Sequence, residues 1–151
     1  MAKRESILDN IETVLKTITI DNSYNNNIGL ATRETTDWMR LQPKQMPAAI
    51  IQWTNDDREP RDVQGHYLIS TLTVVIRGVI AKVSASDDME QKVNEFSDDI
   101  ETALSSDGTR GGNAMYTNPA GVKMYNLPPE SNRAVFDATY IIKYQYASGS
   151  P

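Results

Sequence analysis

Acidic side chains at short spacing are the most visible chemical resource in this sequence. Asp56, Asp57, Glu59 and Asp62 fall within seven residues, and Asp87/Asp88 and Asp98/Asp99 form adjacent pairs. Carboxylates so grouped can ligate a hard cation or share a proton in acid–base chemistry. Against metal binding, Arg58 and Arg61 sit inside the first cluster and offer charge compensation, and the EF-hand spacing is absent. Against catalysis, neighbours on a helix point about 100° apart, so the two Asp pairs read as a solvated helix face. His66 is the sole histidine and cysteine is absent, which removes triads, thiol nucleophiles and Cys-ligated metals. No phosphate-binding or nucleophile-elbow glycine pattern occurs; the Gly-rich stretch 107–113 has the wrong spacing and reads as a hinge. The expectation is a non-enzyme without cofactor or metal.

Other residue types point to contact surfaces. Trp38 stands with Met39 and Arg40 in a polar, proline-containing stretch, a combination enriched at protein interfaces. It either folds back onto the core or anchors a partner. Together with the mixed charges of Asp56, Asp57, Arg58, Glu59, Arg61 and Asp62, these residues form the candidate interface. Tyr140, Tyr144 and Tyr146 form a stripe that packs a strand on helices or, at its distal end, serves a partner.

The elements that position these groups follow from periodicity. Ile7, Leu8, Ile11, Val14, Leu15 and Ile18 recur at three and four residues and predict an amphipathic helix from Lys3 to about Thr17. The turn-rich segment 21–27 ends it, and residues 28–32 read as a short strand. Residues 33–47, with Pro43 and Pro47, read as a long loop. Ala48 to Trp53 is a breaker-free apolar run, expected as a central strand buried on both faces. Residues 54–65 are expected as an exposed connection. From His66 to Lys82, Leu68, Ser70, Leu72, Val74 and Ile76 alternate with Ile69, Thr71, Thr73 and Val75. That strand would exceed roughly 50 Å, so a bulge is expected at Gly78.

A second helix is expected from Ser86, its N-cap, to Leu104, burying Met89, Val93, Phe96, Ile100 and Leu104. Its acidic residues, Asp98 and Asp99 included, are expected on the outer face, where removing one charge changes little. Residues 105–113 read as a flexible connector, 122–127 as a strand, and 133–147 as a last long strand. Residues 148–151 read as a frayed tail. The fold class is therefore α+β: a mixed, mainly antiparallel sheet of about five strands packed with two amphipathic helices. The 151 residues are expected to form one domain over 1–147.

Charge narrows the partners. The net charge is −5, and residues 51–107 hold 12 acidic groups against 5 basic, so a DNA reader that must displace counterions is not expected. Neither a membrane-length apolar run nor a signal-peptide pattern is visible, which predicts a soluble protein made in a cytoplasm.

The helix RESILDNIETVLKTI, the strand IGLATRE, the segment PAAII after a long loop, the strand YLISTLTVVIRGVIA and the helix DDMEQKVNEFSDDIETAL together resemble the tail terminator, or tail completion, proteins of tailed bacteriophages. The resemblance covers about the first 105 residues and continues loosely through the final strand; it rests on element order rather than a catalytic signature. It implies a small α+β virion subunit, assembled in the bacterial host cytoplasm, that forms a homo-hexameric ring at the head-proximal end of the tail tube. Such a ring stops tube polymerisation, meets the head–tail connector or neck, and lets genomic DNA pass its lumen without sequence-specific binding. A tail-tube or head-completion protein, or a small carboxylate-dependent enzyme, are the competing readings.

Overall fold

The computed structural model describes residues 2–151, which form two α-helices, five strands and four three-residue 3-10 turns. In chain order these are α1 (Lys3–Leu15), β1 (Leu30–Thr32), β2 (Ala48–Pro60), β3 (Tyr67–Ala81), α2 (Met89–Ser105), β4 (Tyr116–Tyr125) and β5 (Arg133–Ala147). The sheet order is β1-β2-β3-β5-β4, with β1 parallel to β2 and every other pair antiparallel. This is a mixed, mostly antiparallel α+β fold. No helix among the described residues is long and apolar enough to cross a membrane.

Strict alternation sends one side chain in two to each face of the sheet. Leu72, Val74 and Ile76 of β3, with Phe136, Ala138, Tyr140, Ile142 and Tyr144 of β5, face both helices and are buried. They meet Ile7, Leu8, Ile11 and Leu15 of α1 and Val93, Phe96, Ile100 and Leu104 of α2. The opposite face is covered at one end only. There Leu41, Ala48, Ile50, Val79 and Val135 form a second, smaller cluster under residues 30–46, with Trp38 packed against it.

Several boundaries differ from the sequence expectation. The predicted connection 54–65 is mostly strand, since β2 continues to Pro60 and pairs with β3 to the end, leaving only a tight turn at 61–66. Its charges hide the alternation that the ladder imposes. β2 is also not central and doubly buried throughout: β1 covers its outer edge only over Ala48–Ile50, and Trp53 is 44% exposed. The bulge expected at Gly78 is absent, and irregularities fall instead at Trp53/Asn55 in β2 and Pro119/Gly121 in β4. Gly78 answers a packing need: a Cβ there would lie 2.2 Å from Cζ of Phe136.

The second helix starts later than expected. Asp88, not Ser86, caps it by accepting from Gln91 N at 3.2 Å, while Asp87 accepts from the backbone N–H groups of Val83 and Ser84, each at 2.8 Å. Those two N–H bonds hold the Asp87 carboxyl below its ordinary range. β4 begins at Tyr116 rather than 122, despite Pro119, which an edge strand tolerates. The segment 105–113 is pinned by Arg110, whose guanidinium is buried and donates to the carbonyl oxygens of Leu104 and Asp107 at the C-terminal end of α2. A cation suits that end of the helix dipole. Ser148 N donates to His66 O at 2.8 Å, extending the β3–β5 ladder by one bond into the exposed tail.

Candidate subunit interface

The β2–β3 hairpin and the loop 33–47 carry the residues singled out in the sequence, but the ladder sorts them. Asp56 and Arg58 stand opposite Leu72 and Ser70 and therefore share the helix-covered face, whereas Asp57 and Glu59 stand opposite Thr71 and Ile69 on the open face. Asp56 is thus not a solvated loop residue. Its side chain is 3% exposed, and Oδ2 accepts from Arg4 Nη1 at 2.9 Å and from the Tyr144 hydroxyl at 2.6 Å, with Arg58 Nη2 at 3.5 Å. Arg4 stacks 4.4 Å above the Trp53 ring and Arg58 lies 5.1 Å from the centre of the Tyr146 ring. Burial, then the bond to Asp56, pushes the Tyr144 hydroxyl pKa up. The corner therefore ties α1 to the hairpin by charge-assisted bonds. Arg61 and Asp62 lie in the turn, where Asp62 Oδ1 accepts from His66 N at 2.8 Å and fixes the bend.

The loop residues divide in the same way. Trp38 is half-buried on the second cluster, and its carbonyl accepts from Arg133 Nη1, while Leu41 O accepts from Arg133 Nη2 at 2.6 Å. Its ring therefore belongs to packing. Met39 remains 65% exposed, and Arg40 reaches only Asp37, at 3.5 Å. The exposed tryptophan is Trp53, which sequence reading placed inside a buried strand. Register alone does not separate them: Trp53 stands opposite Val74 on the helix-covered face, and it is exposed because it lies on the sheet edge beyond the end of β1, with Arg4 stacked over it.

The open sheet face carries Ile69, Thr71, Thr73 and Val75 of β3 beside Thr139, Ile141, Lys143 and Gln145 of β5, all partly buried and under no helix. At its upper end Arg77 Nε and Nη2 donate to the two Asp137 oxygens at 2.9 and 3.1 Å, and the Tyr125 hydroxyl adds a bond of 2.6 Å. Burial alone would raise the Asp137 pKa, but the Arg77 and Tyr125 bonds outweigh it and hold the carboxyl low. Arg33, just after β1, donates to Glu5 of α1 at 2.6 and 3.1 Å and likewise lowers its pKa. A carboxyl whose folded pKa is depressed adds stability that is complete above its unfolded pKa, here 4.5 for Glu5 and 3.8 for Asp137, and lost as pH falls through the folded value. The urea midpoint should therefore hold between about pH 7 and pH 5 and fall below about pH 4. An Asp137→Asn chain should show a shallower acid limb; an unchanged limb would remove that pair as a contributor.

No group of three or more His, Asp or Glu side chains among the described residues is arranged to hold a metal ion. Neither a family model nor a curated protein sequence matches this chain.

Proposed function

We propose that this chain is a structural subunit of the tail-terminator type: a homo-hexameric ring on the head-proximal end of a phage tail tube that ends tube polymerisation and offers the surface for head–tail joining. The observation that carries the reading is the one-sided sheet. Both helices cover one face, the other face is left open from Ile69 to Val75 and from Thr139 to Gln145, and a long hairpin reaches a turn at 61–66. A sheet with an uncovered half-apolar face is an incomplete layer arrangement that assembly completes. The partners on this reading are further copies of the chain, the tail-tube protein and the connector or neck, in the virion. The open face carries Arg77, Lys123 and Lys143 together with Asp137, Asp57 and Glu59, three charges of each sign, so it offers passing DNA no cationic track.

The test is the mass of the purified protein alone and mixed with tail tubes, with negative-stain imaging of the mixture. One closed ring at a tube end is expected, and a phage lacking the protein should make overlong, unjoined tails. A protein that stays monomeric in the presence of tubes, or that grows into long cylinders by itself, overturns the reading.

A further inference from the structure

A groove of about 170 Å³ opens between α2 and β4, where β4 bulges between Pro119 and Gly121. Asp98 and Glu101, one helical turn apart, line it with Tyr140 and Val122. Both carboxylates are exposed, and neither has an ion-pair partner among the described residues. Tyr140 is 3% exposed, yet its hydroxyl makes no hydrogen bond to any described residue. The hydroxyl opens onto the groove, and the two unpaired carboxylates beside it favour a hydrogen-bond donor with positive charge. Val122, 55% exposed, adds apolar surface at the rim.

A complementary group stands at the other side of the same sheet. The ladder aligns Trp53 with Val74, Val74 with Tyr140 and Tyr140 with Pro119, a single row crossing four strands at right angles to them. The groove closes one end of the row. The other end, below the point where β1 stops covering β2, presents Trp53 at 44% exposure with the Arg4 guanidinium stacked on it. Arg4 spends Nη1 on Asp56 and has no bond from Nε or Nη2 to a described residue. Tryptophan and arginine together are the residue types that dominate interface energies. A rotation axis running along the strands brings the two ends of the row together at one height, which is a heterologous contact able to close a ring.

We infer that the groove between α2 and β4 receives the Arg4 and Trp53 side chains of a second copy of this chain, with Asp98 and Glu101 binding the guanidinium. The inference rests on the ring reading above and names the contact that would close it. The test uses the absence of native cysteine. Thr54 and Ala120 are exposed bulge residues near the two ends of the row, and within one chain three strand spacings, roughly 14 Å, separate β2 from β4. A Thr54→Cys/Ala120→Cys chain, treated with a thiol crosslinker shorter than that separation, should give a ladder ending at the ring; each single-cysteine chain should give no ladder. In parallel, Trp53→Ala and Glu101→Arg should each weaken association at least about tenfold by sedimentation. Both variants should keep the native circular dichroism spectrum. The inference is overturned, with the ring reading intact, if native rings form but the double-cysteine chain yields no ladder, or if both substitutions assemble as the native chain does. A native chain that remains monomeric with tail tubes overturns the ring reading and the inference with it.

Discussion

Asp99→Asn should destabilise the protein by about 2 to 4 kcal/mol, a loss read directly as a lower urea midpoint at neutral pH. The side chain is 2% exposed on α2 and receives four hydrogen bonds from the polar turn after α1. Oδ1 accepts from Asn25 N at 2.9 Å and Nδ2 at 3.0 Å, and Oδ2 accepts from Asn26 N and Nδ2, each at 3.0 Å. All four partners are donors, so an amide in place of the carboxylate turns one of its two atoms into a donor facing donors. It also removes the charge that strengthens the remaining pair. Asp98→Asn, one residue away and exposed, should change stability within about 0.5 kcal/mol. Equal effects of the two substitutions would mean that the turn is not held through Asp99.

That contrast shows what the sequence could and could not disclose. The apolar stripes of α1 and α2 and the alternation of β3 and β5 are periodic over many residues, so the α+β class and the helix-covered face were legible. Asp99 was not, because its partners Asn25 and Asn26 lie more than 70 residues away and a carboxylate beside an apolar stripe looks like every other charge on α2. Asp56 failed for a related reason. A run of charged residues reads as a loop, yet pairing with β3 turns every second one inward, and Arg4 and Tyr144 were waiting there. The same limit applied to the two tryptophans. Trp53 lies in an apolar run and points to the helix-covered face opposite Val74, yet stays 44% exposed at the edge that β1 leaves open, whereas Trp38 lies in a polar loop but is seated by Arg133, 95 residues on. Long-range partners, not local composition, decided each case.

Phe96→Ala should destabilise by about 3 to 5 kcal/mol, the range for a fully enclosed aromatic truncated to a methyl. Phe96 is 0% exposed and meets Phe136 edge to face, with ring centroids 5.9 Å apart and planes at 78°. Phe136 in turn lies across Gly78, whose missing side chain leaves the space that the ring fills. The three residues therefore form one stack from β3 through β5 to α2. Gly78→Ala should cost about 1 to 3 kcal/mol by itself, because the enclosed ring must move to admit a Cβ that would otherwise stand 2.2 Å away. In the Phe96→Ala background the cavity gives the displaced Phe136 ring somewhere to go. The double variant should then be more stable than the sum of the two losses predicts, by roughly 0.5 kcal/mol or more. Strict additivity in that cycle would show that Phe136 does not transmit the clash, and an unchanged melting temperature for Phe96→Ala would remove the α2 stripe from the core altogether.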